Sequence, residues 1–379
     1  MSHEHVLDEE QLALVEAVRE FSQEVVAPVS AKHDKEKSFP YQIVSQMGEM
    51  GLFGLPIPEE YGGQGGDYFT LCLALEELGK VDQSVAITLE AGVSLGMMPI
   101  LKYGTEQQKQ QWLPALADAE HLAGFGLTEP GAGSDAGGTQ TRARLADGTW
   151  TINGNKEFIT NSGTDITSMV TVTALTGDDE ISTIIVPSGT PGFTAEPAYD
   201  KVGWKASDTH PLTLNDVEVP EENLLGERGR GFANFLGILD EGRVAIAALA
   251  TGAAQGCVDE CVTYAKTRKT FGRPIGDNQG VSFKIARMQS RAYAARSAYY
   301  TAAQRIVAGL PYKTEAAIAK LIASEAAMDN ARDATQIFGG YGFMNETLVA
   351  RHYRDSKILE IGEGTTEVQL MLIARSLGF

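Results

Sequence analysis

Apolar positions recur at helical spacing from the N-terminus to about residue 125. Leu14, Val18, Phe21 and Val25 fall at i, i+4, i+7 and i+11, one face of an amphipathic helix, and Pro28 marks its end or a kink. A second helical stretch over 71–78 stops at Gly79, a residue suited to a C-cap. Between them Pro56, Pro58 and Tyr61-Gly62-Gly63-Gln64-Gly65-Gly66 read as loop, with no strand pattern.

Near Phe125 the pattern changes. Segments 149–152, 158–160, 168–173, 183–187 and 212–219 are short and rich in Thr, Val and Ile, with Asp147-Gly148, Gly177-Asp178 and 189–192 between them. Such spacing predicts a small antiparallel barrel or sandwich. Pro220 and 226–231 predict a hinge-like loop. From about 229 the spacing is helical again, through Phe232, Phe235, Leu236 and Leu239. The small residues Ala247, Ala248, Ala250, Gly252, Ala253, Ala254 and Gly256 follow, and would let helices approach closely in a bundle or at an oligomer interface. Two more long helices fit 281–308 and 315–337. The expected organisation is a multidomain α+β chain, all-α over 1–125, antiparallel β over 126–228 and helical over 229–379.

Charge narrows the partners. The 379 residues carry 31 Lys and Arg against 50 Asp and Glu, a net charge of −19 that would repel phosphate backbones and anionic lipid. No nucleic-acid or membrane partner is expected. Cys72, Cys257 and Cys261 cannot build a disulfide framework, and nothing has metal-ligand spacing, so no metal site is expected. Cys257 and Cys261, four apart in a helical stretch, read as small core residues, and His3 and His5 sit in a terminus expected to be loose. There is no run of about 18 apolar residues and no signal-peptide core. The start is acidic, unlike a transit peptide, which points to a cytoplasmic, bacterial protein.

Gly131-Ala132-Gly133-Ser134-Asp135-Ala136 satisfies G-x-G-x-x-A, but it follows a helical region and precedes an all-β one, so a Rossmann reading fails. The wider stretch Gly126-Leu127-Thr128-Glu129-Pro130-Gly131-Ala132-Gly133-Ser134-Asp135 is more informative. Its glycines bare the backbone, whose N–H groups, with the Thr128 and Ser134 hydroxyls, could meet a polar ring edge or a pyrophosphate. Four segments join it: Phe158-Ile159-Thr160-Asn161, Thr267-Arg268-Lys269-Thr270-Phe271-Gly272, Gln336-Ile337-Phe338-Gly339-Gly340-Tyr341-Gly342, and Tyr353-Arg354-Asp355 running on to Gly362-Glu363-Gly364-Thr365-Thr366-Glu367. Alone, each could be a barrel strand, a basic helix end, a helix stop or a capped turn.

Together, in this order, they make the chain resemble the acyl-CoA dehydrogenase family over essentially its whole length. The resemblance implies an N-terminal helical domain, a central β-domain and a C-terminal four-helix bundle, assembled as a homotetramer. It implies FAD as cofactor, an acyl-CoA substrate and an electron-transfer flavoprotein as electron acceptor. A CoA ester is an anion, so its site would need local positive charge against the global field.

Residue by residue, Leu127, Thr128, Gly133 and Ser134 match flavin-contacting positions, Ser134 also on the substrate side. Phe158, Ile159 and Thr160 match the segment beside flavin N5, with Phe158 where the family usually has Trp. Arg268, Phe271, Gln279, Gln336, Gly339 and Gly340 match positions that reach a neighbouring subunit's FAD, and a guanidinium fork suits a pyrophosphate. Thr365 and Glu367 match positions near the adenosine end, while Asp240 and Arg243 match residues lining the CoA side of the cleft.

The implied reaction takes a proton from the carbon beside the thioester while a hydride leaves the next carbon. Glu363, between Gly362 and Gly364, stands where the family carries its catalytic glutamate, with Gly364 on the substrate side. Some members carry the base on a C-domain helix, immediately before the arginine matched by Arg243. Here that position is Gly242, and Glu241 would point about 100° away. The pattern favours the short-chain, medium-chain or branched short-chain group. Thr88, Leu89, Val93, Leu95, Met97, Met98 and the segment 237–243 are the expected cavity walls, closing it to acyl groups of roughly four to eight carbons. The rival readings are an acyl-CoA oxidase, whose relatives usually carry a further C-terminal domain, and a non-catalytic relative.

Overall fold

Asp8 opens the first helix. Its carboxylate accepts the Gln11 N–H at 2.8 Å while the Gln11 side chain accepts the Asp8 N–H at 3.2 Å, a reciprocal cap that starts α1 (Glu9–Phe21). The computed structural model describes residues 6–379, so His3 and His5 lie outside it. The apolar stripe packs as its spacing predicts, with Val18 and Phe21 buried and Leu14 and Val25 against them. The helix does not stop at Pro28. It passes through a π-helical turn, Ser22–Val26, whose wider winding carries the chain past the proline into α2 (Ala27–Glu36).

Helices α3 (Tyr41–Glu49), α4 (Tyr68–Gly79), α5 (Gln83–Glu90), α6 (Met98–Tyr103) and α7 (Glu106–Ala117) complete this layer. A second π-helical segment, Ala91–Met97, joins α5 to α6. The resulting run Gln83–Tyr103 is long and apolar enough by composition to cross a bilayer, but 89% of its apolar window is buried inside the fold.

Strands β1 (Leu122–Gly126), β2 (Arg142–Ala146), β3 (Thr149–Thr160), β4 (Thr167–Gly177), β5 (Glu180–Pro187), β6 (Phe193–Ala195), β7 (Thr209–Pro220) and β8 (Leu224–Leu225) form one sheet in the order β6-β7-β3-β2-β4-β5-β8, with β1 beside β4. Pairing is antiparallel except where β1, and one residue of β2, run parallel to β4. Two of the expected strands fuse into β3, which bulges between Ile152 and Gly154 and between Lys156 and Ile159. β1 went unsignalled because all five of its residues are buried, so it has no alternation. The loop 226–231 is docked, not hinge-like: Arg228 bonds Glu180 and the Gly229 N–H reaches Ser182 Oγ at 2.9 Å.

The C-terminal part is α8 (Gly231–Thr267), a hairpin of β9 (Lys269–Thr270) and β10 (Arg273–Pro274), α9 (Gln279–Val307), α10 (Lys313–Phe338), α11 (Leu348–Asp355) and α12 (Thr366–Ser376). α8, α9 and α10 pack as a bundle with α12 along α10. The small-residue face of α8 is spent within the chain. A Cβ on Gly79 would lie 2.5 Å from the Leu249 carbonyl, and side chains on Gly252 and Gly256 would strike the Glu76 and Lys80 carbonyls, so α4 and α8 touch backbone to backbone. Cys257 and Cys261 are buried among Val258, Met288 and Phe338, where burial pushes both thiols up and leaves them inert. Two joints fix the β-domain: Trp204 N–H donates to Asp355 Oδ1 at 2.7 Å, and Asn161 Nδ2 donates to the Thr88 carbonyl at 3.0 Å.

Candidate active site

Glu363 stands on a tight loop between a 3₁₀ turn, Ser356–Glu360, and α12, whose N-cap is Thr365. Its backbone is left-handed (φ 52°), as is that of Gly364 (φ 92°). For a glutamate this conformation costs about 1–3 kcal/mol and persists only when over-determined. Lys320 Nζ and Gln369 Nε2 each donate to the Gly364 carbonyl at 2.8 Å, which fixes the loop from α10 and α12.

The residue as a whole is half-buried, yet Oε2 is sealed from solvent and has no fixed donor. A Cβ built on Gly242 would lie 2.5 Å from that Oε2 and 3.7 Å from Glu90 Oε1, so two carboxyls converge on the bare α8 backbone. Burial pushes the Glu363 carboxyl up to about 7, opposed by the adjacent Glu90 carboxyl, which could donate to it if protonated, and by the positive charges of Lys320 and Arg243. Burial and the Glu363 charge drive Glu90 well above the usual carboxylate range. Arg243 is itself buried and paired with Asp240, which lies 3.6 Å from Lys313. Glu241 turns elsewhere, to Lys102 and to the Tyr312 hydroxyl at 3.1 Å, as its helical offset predicts.

The Leu127–Ser134 loop is pinned to β3. Glu157 N–H donates to the Thr128 carbonyl at 2.9 Å, and the buried Glu129 carboxylate binds Lys156 at 2.8 Å and the Gln140 N–H at 2.6 Å. Ser134 and Gly133 are exposed, and a side chain at Gly131 or Gly133 would meet open space. Phe158 is 65% exposed with a left-handed backbone (φ 61°), while Ile159 is buried and Thr160 half-buried. Bare backbone, hydroxyls and an exposed aromatic face are what a flat ring with polar edges requires. Asn161, next in the chain, bonds the Thr88 carbonyl two residues before Glu90, which brings this surface to the Glu363 pocket.

A second group gathers at the far end of the bundle. Tyr264 stacks on Phe338 at 4.1 Å, which places Arg268, the C-cap of α8, with Gln336, Gly339 and Gly340 at the end of α10. Phe271 is fully exposed at the hairpin tip with φ 49°, and Gln279 opens α9. Lys320 and Gln336 are sixteen residues apart on α10, roughly 24 Å of helix, so this group does not meet Glu363 within one chain. Glu367 is exposed in the first turn of α12.

Family models for the acyl-CoA dehydrogenase N-terminal, middle and C-terminal domains match residues 8–120, 124–217 and 229–378 in turn. The chain belongs to the acyl-CoA dehydrogenase family. The dehydrogenase is 47% identical over 376 residues to the probable acyl-CoA dehydrogenase YngJ of Bacillus subtilis, covering 98% of each chain. Butyryl-CoA dehydrogenase from Megasphaera elsdenii superposes with a TM-score of 0.95 at 42% identity, again covering 98% of each. An acyl-CoA dehydrogenase from Bacillus anthracis in complex with FAD gives 0.94 at 33% identity, over 98% of this chain and 67% of that one.

Sequence reasoning missed Glu90, Lys320 and Glu129. The first two had a signal: each is a lone charge in an apolar run, Ile87-Thr88-Leu89-Glu90-Ala91-Gly92-Val93 and Ala316-Ala317-Ile318-Ala319-Lys320-Leu321-Ile322. Both are fully buried in the dehydrogenase. Of the expected cavity walls, Leu89, Val93 and Met97 are buried in the large core shared by the N- and C-terminal helices, and the side chain of this segment that meets Glu363 is Glu90.

Proposed function

We propose that this enzyme is an FAD-dependent dehydrogenase that converts a saturated acyl-CoA of roughly four to eight carbons, straight or singly branched, to the trans-2-enoyl-CoA. The observation that carries the reading is the Glu363 carboxylate, with Oε2 sealed from solvent, held on a fixed loop with its pKa pushed up to about 7. Bound FAD would supply the two-electron acceptor for the β-hydride. Leu127, Thr128, Gly133, Ser134, Phe158, Ile159 and Thr160 would hold its ring system. Glu363 takes the α-proton, and its dry surroundings make it a stronger base than a solvated carboxylate. The left-handed turn at Glu363 aims the carboxylate, while the Gly364 N–H and the Arg243 side of the cleft receive the thioester.

Arg268, Phe271, Gln279, Gln336, Gly339 and Gly340 serve the FAD of a neighbouring subunit in a homotetramer, a reading supported by their distance from Glu363 and the full exposure of Phe271. Thr365 and Glu367 lie toward its adenosine end. Electrons pass on to an electron-transfer flavoprotein, as the family resemblance implies. The likeness to a butyryl-CoA dehydrogenase supports the short acyl group.

Glu363→Gln tests the reading. The variant should keep FAD, seen by its absorbance, while anaerobic flavin reduction by butyryl-CoA falls about 10²–10⁴-fold. A rate above about a tenth of the wild type would place the base elsewhere.

A further inference from the structure

Glu90 has no place in the chemistry above, yet it is the residue of α5 nearest that chemistry. It is the last residue of the helix, immediately before the π-helical segment Ala91–Met97, and it is fully buried. Neither of its carboxyl oxygens has a fixed hydrogen-bond donor. Ser94 lies beside it and opposes the rise in its pKa weakly; its hydroxyl also shares a 2.9 Å hydrogen bond with the Tyr68 hydroxyl, in which either oxygen can be the donor. Besides Glu363, the titratable groups that feel its charge are Tyr68 and Cys72, neither of them a cation, and no lysine or arginine bonds Glu90 among the described residues. An ionised carboxylate here would be a buried charge without a counter-ion.

Glu363 is its one strong partner. Both carboxyls approach the Cβ-less face of Gly242, at 2.5 Å and 3.7 Å from the same point, so their oxygens are no farther apart than those two lengths laid end to end. With both ionised, like charges would meet and neither oxygen would have a donor. One proton between them turns the repulsion into a hydrogen bond. The two sites are unequal, because Lys320 and Arg243 favour negative charge at Glu363 and no cation does so at Glu90.

We propose that Glu90 is a positioning residue of this site, a buried carboxyl that stays protonated at neutral pH and donates its hydrogen bond to the Glu363 carboxylate. The inference rests on Glu363 being the base. Glu90 would hold that carboxylate in one rotamer, supply the donor that the sealed Oε2 lacks, and keep the base ionised in a pocket too dry for water to do so.

Two measurements on the FAD-loaded protein test it. The first is the infrared carbonyl stretch of neutral carboxylic acids at mildly alkaline pH, compared between wild type and Glu90→Gln. A band lost in the variant is expected; identical spectra would overturn the inference, whatever the activity. The second is the acid limb of the pH profile of flavin reduction. Glu90→Leu removes the donor and should move the limb up by about one pH unit, a tenfold change in the base's ionisation. Glu90→Gln keeps a donor and should hold the limb within a few tenths of a unit of the wild type. An unmoved limb in a Glu90→Leu protein that still melts cooperatively with FAD bound would reduce Glu90 to packing. If Glu90→Leu does not fold, the infrared comparison decides. Should Glu363→Gln keep reducing flavin, the base assignment fails, while the Glu90 band is still read separately.

Discussion

The Glu363 carboxylate occupies the volume that a side chain at Gly242 would need. An ideal Cβ there sits 2.5 Å from Oε2 and 3.4 Å from the carboxyl carbon. A loop residue and a position on α8, over a hundred residues apart in sequence, thus address the same point in space. This explains why a base on the helix, just before the arginine, and a base on the loop are alternatives. Gly242→Ala should leave α8 intact and FAD bound, because alanine favours helix. It should push the proposed base aside by about an ångström and lower flavin reduction on the order of 10²-fold. Stopped-flow reduction with butyryl-CoA measures this, and a rate within twofold of the wild type would contradict the geometry.

The Glu363 carboxyl, pushed up to about 7 by burial, sets a pH dependence. A base works only when ionised, so kcat/KM should fall as pH drops below about 7. Lys320 opposes the rise, and Lys320→Met should therefore move the acid limb to higher pH. The same change takes one of two donors from the Gly364 carbonyl and leaves Gln369 on it, for a stability loss of about 0.5–1.5 kcal/mol by thermal melting. If the limb stays in place while stability falls, Lys320 only props the loop.

His352 predicts acid sensitivity. The Trp204 indole N–H donates to Gln83 Oε1 at 3.2 Å, which turns the Gln83 amide nitrogen toward His352 Nδ1 at 3.0 Å. Nδ1 must accept, so Nε2 carries the proton and donates to the Lys80 carbonyl at 3.1 Å. Burial, then the Arg351 charge, lower this histidine to about 4. An unfolded chain would protonate it near 6.5, so between about 6.5 and 4 the unfolded state binds more protons. Its contribution is complete above that window and lost as pH falls through it, on the order of 3 kcal/mol in all. Melting temperatures of wild type and His352→Gln at about pH 7.5 and pH 5 should converge at the lower pH. Parallel curves would assign the acid lability to another group.

Arg268 tests the assembly. It is exposed at the end of α8, far along the bundle from Glu363. If it grips a neighbour's FAD, cofactor binding and oligomerisation are linked, and each stabilises the other. Arg268→Ala should lose FAD on dilution and melt earlier than the wild type, followed by absorbance and sizing together. A monomer that holds FAD tightly would refute the shared site.

Much of this molecule was legible in its pattern. The stripe of α1, the α4 stop at Gly79 and the long helices α9 and α10 follow from apolar spacing, because one face of each must be covered. The β2–β3 turn follows from Asp147-Gly148, since both residues adopt positive φ (52° and 76°) and glycine does so without strain. The site segments from Leu127 to Glu367 could be named only because together, in this order, they resemble the acyl-CoA dehydrogenase family.

Tertiary structure decided the rest. β1 carries no period because it is buried on both faces, and Pro28 sits inside a helix because its position falls in the first turn after a π segment. Glu90 is a lone acid in an apolar run until folding brings α5, α8 and the Glu363 loop to one point at Gly242. Local pattern reports which face of an element must be hidden. It does not report which buried charge will meet another, because that depends on how distant elements pack, and in a dry pocket the meeting itself settles where the proton resides.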